Sequence, residues 1–334
     1  MTVTVPPYRA VVTGHSFPTL APEREVLAGV ATVVESQPRD RAEVIAAARD
    51  ADAIMNQQSL IDAAVIAALT RCRVIVAYGI GTDKIDLAAA AARGIRVCHV
   101  PDYCVDEVAS HAMALLLAFE RRVPQAMARL VHGHWDHPTA GSIRRLAGRT
   151  LGLLGLGRIG RRVAALAAPF GLRVVAHDPY LAAAPTGQPG VEWVSFDELL
   201  TTAHYLSIHC PLTPETRGLM GAAQFARMRA DAVLVNASRG KIVQEAALVA
   251  ALREGRLRGA ALDVFEEEPL SPGNSLLDLD NVVLTPHVAW YSDEAQDELK
   301  REVAGEVRRA LLGEPPRHPV HAPAPATSRQ PTGR

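Results

Sequence analysis

Short apolar runs rich in β-branched residues recur along the chain, separated by longer Ala/Leu-rich stretches with helical periodicity. The runs are RAVVTG, GVATVVES, ADAIMN, RVIVAYG, IRVCHV, TLGLLG, LRVVAHD, YLSIHC, DAVLVNAS, GAALDVF and NVVLTPH. This alternation predicts an α/β architecture, because a parallel strand needs a helical crossover to return to the same end of its sheet. The runs are continuous rather than alternating, as expected of strands covered by helices on both faces.

The glycine-rich turn Gly155-Leu156-Gly157-Arg158-Ile159-Gly160 begins only after five of these runs. One sheet holding them all would be very wide, so the pattern predicts two Rossmann- or flavodoxin-like parallel-sheet domains. Their expected extents are residues 1–99 together with 291–316, and residues 100–290. The segment SDEAQDELKREVAGEVRRALL, residues 292–312, has a helical amphipathic pattern and an acidic first turn suited to the helix dipole. Residues 317–334 are rich in proline and polar side chains and are expected to be disordered. PDYCVDEVASHAMALLLAFERRV reads as a long helix with more apolar surface than one face needs. Either a subunit or domain interface covers the excess, which favours a homodimer, or the helix is buried within one domain.

Composition narrows the function. Lys and Arg number 35 against 36 Asp and Glu, a net charge of -1, and no long basic run occurs, which argues against nucleic-acid or anionic-lipid partners. With 49% apolar residues and 4% aromatic ones, the 334-residue chain has the profile of a soluble globular protein. The N-terminus lacks the charged start and apolar run of a secretion signal, and no uncharged apolar stretch approaches about 18 residues, so a cytoplasmic protein is expected. Cys72, Cys98, Cys104 and Cys210 show neither a CxxC pair nor zinc spacing, and mostly lie beside apolar runs, where thiols pack as small hydrophobes. His132, His134 and His137 fall in a Gly- and Pro-containing loop at spacings that share no helix face, so no metal is expected there. His111, inside the apolar helix, reads as a satisfied interface or core residue.

TLGLLGLGRIGRRVAALA places GxGxxG between a strand and a helix, the context in which the motif holds a dinucleotide. Gly155 permits the tight turn, Gly157 lets a pyrophosphate approach the backbone, and Gly160 lets helix pack on strand. The helix start at Arg158 and Ile159 supplies N–H groups and a positive dipole end. Eighteen residues after Gly160 the next strand ends at Asp178. A carboxylate there can accept both ribose hydroxyls of NAD and repels the 2′-phosphate of NADP, so NAD(H) is favoured.

Three polar groups fall at predicted strand ends: Asn236-Ala237-Ser238-Arg239-Gly240, Asp263-Val264-Phe265-Glu266-Glu267-Glu268-Pro269, and Thr285-Pro286-His287. Ligands of open α/β sheets bind beyond the carboxyl ends of the strands, where these groups can converge. An Arg, a Glu and a His suffice to reduce a 2-oxo acid. Arginine offers a forked, permanently charged donor, histidine delivers a proton near neutral pH, and a carboxylate orients the imidazole and favours its charged form.

At these residues the chain resembles the D-isomer-specific 2-hydroxyacid dehydrogenase family. The matching stretches are VAYGIGTDKIDLAAAAARGIRV, LGLLGLGRIG, HCPLTPETRGL, LVNASRGKIV, GAALDVFEEEP and NVVLTPHVAWYS, in family order over about residues 70–310. DVFEEEP followed by TPHVAWYSDEA is most similar to the branch of the C-terminal-binding proteins and their bacterial relatives. The resemblance implies reversible hydride transfer between NADH and C2 of a 2-oxo acid, at an active site in the interdomain cleft. It implies that Arg239 binds the substrate carboxylate and 2-oxo group, that His287 is the acid/base, and that Glu268 pairs with His287. Among the three glutamates Glu268 is chosen because the family's residue directly precedes the proline. Glu266 and Glu267 then form a solvated acidic turn.

By the same resemblance Tyr78, Gly79 and Ile80 cradle the substrate carboxylate, and Trp290 walls the side-chain end of the substrate pocket or packs between domains. Cys210, Pro211, Thr213, Ala237 and Asp263 are implied cofactor contacts. For Cys210 a buried apolar residue is an equal reading, and for Asp263 a solvated acid is the alternative. Three positions depart from particular branches: Ala77 stands where the C-terminal-binding proteins have arginine, Ile80 where phosphite-oxidising relatives have lysine, and Glu268 where formate-oxidising relatives lack the glutamate. The competing class is an NAD-sensing partner binder, against which Arg239, Glu268 and His287 favour chemistry.

Overall fold

The structure, a computed structural model, describes residues 6–135, 142–178, 180–181 and 190–320. These form two compact units, one running to Tyr103 and resuming at Asp293, the other spanning Cys104–Ser292.

The first unit opens with strict alternation: β1 (Tyr8–Thr13), α1 (Ala21–Val26), β2 (Ala31–Ser36), α2 (Arg41–Ala48), β3 (Ala53–Asn56), α3 (Ala63–Ala68), β4 (Val74–Ala77), α4 (Leu87–Ala92) and β5 (Arg96–Cys98). The carboxylates of Asp40, Asp62 and Asp86 accept from backbone N–H groups in the first turns of α2, α3 and α4, which fixes where each helix starts. The strands lie side by side in the order β5-β4-β3-β1-β2, all parallel. β3 and β4 are buried along their whole length, as expected of sequences that are apolar except for Asn56 at the end of β3.

The second unit contains α5 (Val105–Glu120), α6 (Val123–Val131), β6 (Thr150–Leu154), α7 (Arg158–Ala167), β7 (Arg173–His177), β8 (Val191–Trp193), α8 (Phe196–Thr202), β9 (Tyr205–Ile208), α9 (Ala222–Arg227), β10 (Val233–Asn236), α10 (Glu245–Arg253), β11 (Gly259–Leu262) and β12 (Val282–Leu284). Its sheet runs β12-β11-β10-β9-β6-β7-β8, parallel throughout. The chain then returns to the first unit, where α11 (Asp293–Leu312) packs on α1, β3 and β4 and β13 (Pro319–Val320) pairs antiparallel with β5.

The unit boundaries fall later than residues 99 and 290. Val100 N donates to Gly79 O, and Val100 and Tyr103 are buried, which keeps residues 100–103 in the first unit. Ser292 Oγ donates to Glu107 of α5 at 2.9 Å, which holds the 290–292 segment in the second. The tail also begins later than residue 317. Arg317 N donates to the Glu306 carboxylate and Pro319 sits on a sheet edge, where its missing N–H costs no ladder bond. The remainder of the Pro-rich tail, residues 321–334, and His137 lie outside the described residues. The apolar surplus of α5 is buried within the second unit, through Val108, Ala112, Met113, Leu115, Leu116 and Phe119. An exposed apolar row occurs instead on the next helix, α6. Among the described residues no helix is long and apolar enough to cross a membrane.

Candidate active site

All the strands of the second unit point the same way, so the segments that follow β6, β7, β9, β10, β11 and β12 gather at one end of its sheet. The chain diverges there between β6 and β9, the topological switch point where such sheets bind ligands.

The glycine turn follows β6. Gly155 has φ +102, and a Cβ there would lie 2.5 Å from Cys210 N, so only glycine lets the turn pass the segment after β9. A Cβ on Gly160 would lie 2.3 Å from Gly155 O, which is the close helix-to-turn contact. Gly157 caps α7, and a Cβ there would meet nothing within 4 Å, so its face is open for a pyrophosphate to approach. The residues present therefore fit a dinucleotide. Asp178, after β7, accepts from Leu156 N at 2.8 Å and Tyr180 N at 2.9 Å, so the carboxylate is fixed directly to the glycine turn. Tyr180 Oη and Thr213 Oγ1 lie 2.5 Å apart and link the segments after β7 and β9. Pro211 O accepts from Thr216 Oγ1 at 2.7 Å, and Cys210 O accepts from Ser238 Oγ at 2.6 Å. The Cys210 side chain is buried, and burial pushes its thiol up to about 12, so it packs as a small apolar group.

Arg239 follows β10 in a segment clamped by buried Asn236, whose side chain accepts from Ser238 N and donates to Arg239 O. Ala237 is buried and Arg239 Nη1 donates to Ser238 O at 2.8 Å. A Cβ on Gly240 would lie 1.9 Å from the Phe265 backbone, so glycine at this position lets the Arg239 segment press against the segment after β11. There, Glu268 Oε1 accepts from Phe265 N at 3.0 Å while Oε2 lies 2.6 Å from His287 Nδ1. Glu266 and Glu267 are exposed, and Glu266 is bonded to Glu245 N instead. Burial works to raise the Glu268 pKa, but the hydrogen bond and charge of His287, the Phe265 N–H and the Arg239 charge together hold it below the ordinary range. Ionised Glu268 is acceptor-only, so His287 Nδ1 carries the shared proton and Nε2 is left as the reactive nitrogen. His287 has φ +53, and its carbonyl accepts from Trp290 Nε1 at 3.2 Å. Trp290 also meets Tyr291 edge-on, with ring centroids 5.6 Å apart.

Asp263 is fully buried and accepts from Thr285 Oγ1 at 2.6 Å, Val288 N at 3.0 Å and Ala289 N at 2.9 Å, so its carboxylate organises the His287 segment. His111 of α5 reaches the same group. The partnership of His111 with Thr285 has no local signature, since 174 residues separate them. In the first unit, Tyr78 is buried with its hydroxyl 2.9 Å from Glu23 Oε1. Gly79 has φ +135, and Ile80 O lies 2.7 Å from His99 Nδ1.

A doubly wound parallel sheet with this glycine turn and acid defines the class of dinucleotide-binding α/β units. Residues 113–289 match the family model for the NAD binding domain of D-isomer specific 2-hydroxyacid dehydrogenases. The D-3-phosphoglycerate dehydrogenase of Mycobacterium leprae is 42% identical over 276 residues, which is 82% of this chain and 52% of that protein. The chain thus spans about half the length of the curated phosphoglycerate dehydrogenases that it matches. The glyoxylate reductase of Korarchaeum cryptofilum is 39% identical over 286 residues, covering 84% of this chain and 86% of that one. The crystal structure of an NADPH-dependent glyoxylate/hydroxypyruvate reductase from Sinorhizobium meliloti, in complex with NADP and malonate, gives a TM-score of 0.84 at 33% identity, covering 95% and 97%. The chain belongs to the D-isomer specific 2-hydroxyacid dehydrogenase family. None of these three relatives is a C-terminal-binding protein, the branch suggested by its motifs.

Proposed function

We propose that the protein is a D-2-hydroxyacid dehydrogenase that interconverts a 2-oxo acid and its D-2-hydroxy acid with NAD(H). The observation that carries this reading is the 2.6 Å bond between Glu268 and His287, in a unit whose glycine turn fits a dinucleotide. Gly157 and the N–H groups of Arg158 and Ile159 would hold the pyrophosphate, Asp178 would bind the ribose, and Pro211, Thr213 and Ala237 would border the cofactor. The bound nicotinamide supplies or takes the hydride. Arg239 holds the substrate carboxylate and 2-oxo oxygen as a charged donor. His287 Nε2 delivers a proton to that oxygen during reduction and removes it during oxidation, while Glu268 fixes the ring. Trp290 contacts the substrate's side chain. Localisation in the cytoplasm is part of the same proposal.

The test is the initial rate with NADH and with NADPH over a panel of 2-oxo acids that includes glyoxylate and hydroxypyruvate. NADH should support the faster reduction, and Asp178→Ala should narrow the NADH-to-NADPH ratio by about tenfold to a hundredfold, the worth of a charge-assisted hydrogen bond. NADH binding without reduction of any 2-oxo acid would make the protein an NAD(H)-binding partner module.

We also propose a homodimer. Val123, Met127, Leu130 and Val131 line one side of α6 and are exposed, and Trp135 just beyond is 90% exposed. Light scattering should give twice the chain mass for the wild type and a shift toward one chain mass for Met127→Glu with Leu130→Glu. A monomeric wild type would refute the dimer.

A further inference from the structure

His111 lies on α5, and its Nε2 is 2.9 Å from Thr285 Oγ1 and 3.5 Å from Asp263 Oδ1. Thr285 has a single hydroxyl proton, which it gives to Asp263 Oδ1 at 2.6 Å. Its oxygen can then only accept, so His111 Nε2 is the donor. Asp263, 0% exposed, passes the order onward: its carboxylate accepts from Val288 N and Ala289 N, and its backbone carbonyl accepts from His287 N at 2.8 Å. Residues 285, 287, 288 and 289 are thereby all bonded to Asp263. The residue in their midst, His287, has φ +53, a left-handed backbone that a non-glycine residue keeps only when its surroundings over-determine it.

We infer that His111 is a positioning residue for His287, acting through Thr285 and Asp263. This rests on the dehydrogenase reading for its consequence in turnover, but the geometry stands without it. With the imidazole in place, the Thr285 hydroxyl is oriented by a donor on one side and an acceptor on the other. Without it, that hydroxyl is free to turn, Asp263 loses a charge-assisted bond, and the His287 backbone loses part of what holds it at positive φ. Displacement of the imidazole by a fraction of an ångström lowers the rate of proton transfer while leaving the dinucleotide cradle at the other strand ends untouched.

The experiment compares His111→Ala, His111→Gln and Thr285→Val with the wild type by steady-state kinetics, by NADH titration and by amide exchange of Val288 and Ala289. His111→Ala and Thr285→Val should each lower kcat for 2-oxo acid reduction by about tenfold to a hundredfold, while NADH affinity stays put. The double variant should be no worse than either single one, because both cut the same relay. His111→Gln, whose amide N–H can replace Nε2–H, should recover most of the rate. Val288 and Ala289 should exchange faster in the alanine and valine variants alone. An unchanged kcat in His111→Ala, or a glutamine variant no better than alanine, overturns the inference. If the wild type reduces no 2-oxo acid, the dehydrogenase reading fails separately. Exchange then decides the inference: unchanged exchange at Val288 and Ala289 overturns it, and faster exchange in His111→Ala, restored by glutamine, supports it.

Discussion

His287→Ala is expected to lower kcat for 2-oxo acid reduction by about a hundredfold to ten-thousandfold, the range for loss of a positioned acid/base. NADH affinity, read by fluorescence titration, should be unaffected. The imidazole has one nitrogen committed to Glu268, which leaves Nε2 to deliver the proton. The side chain is 42% exposed, so its removal opens no sealed cavity. Alanine must adopt the same positive φ as histidine, at a modest extra backbone cost that the surrounding bonds to Asp263 can hold, so the fold should survive and the loss should fall on chemistry. Glu268, held below the ordinary carboxylate range, stays ionised through neutral pH, and its pairing with His287 is lost only as pH falls through that lowered value. A His287→Ala enzyme within tenfold of wild type would remove His287 from the acid/base role.

The second large effect concerns stability. Glu120, fully buried at the C-terminal end of α5, accepts from Arg258 Nη1 at 2.7 Å, Arg258 Nη2 at 3.0 Å, Tyr205 Oη at 2.8 Å and Arg144 N at 2.6 Å. A carboxylate there opposes the helix dipole and has lost its water, so the four donors have to compensate for both. The Arg258 side chain is only 11% exposed. Glu120→Ala strands that guanidinium in the interior and should destabilise the second unit by about 3–5 kcal/mol. For a unit of this size that is a fall in Tm on the order of 10 °C, measurable by calorimetry. Burial works to raise the Glu120 pKa, but the bonds from Arg258, Tyr205 and Arg144 N outweigh it and the group titrates below the ordinary range. Its stabilisation is therefore full above the ordinary glutamate value of about 4.3 and is lost as pH falls through the lowered one. The gap between wild type and Glu120→Ala should close in acid. A gap of under about 3 °C at neutral pH would show that Arg258 finds other partners.

These two sites differ in how far the sequence reveals them. The strands from β1 to β7 and from β9 to β12 are legible because a short apolar run rich in β-branched residues between helical stretches is a local signal. β8 and β13, three and two residues long, carry no period and emerge only from pairing with β7 and β5. The glycine turn and Asp178 are equally local, since one βαβ step contains both. Glu268 is separable from Glu266 and Glu267 only through the family pattern, because composition alone gives three identical candidates. Glu120 with Arg258, and His111 with Thr285, lie 138 and 174 residues apart. No periodicity links such pairs; the sheet order that folds α5 back against β10, β11 and β12 creates them.

The return of α11 to the first unit sets a timetable for synthesis. Cys104–Ser292 emerges from the ribosome as one continuous stretch and can close its own sheet as soon as β12 is out. The sheet begun at Tyr8 has no such independence: the helix that covers β3 and β4 is made of residues 293–312, and the strand that pairs with β5 follows it. Nearly two hundred residues must be added before that early apolar surface is covered. The sheet that precedes Cys104–Ser292 in the chain is therefore completed after it, and its apolar face stays uncovered for longer during synthesis.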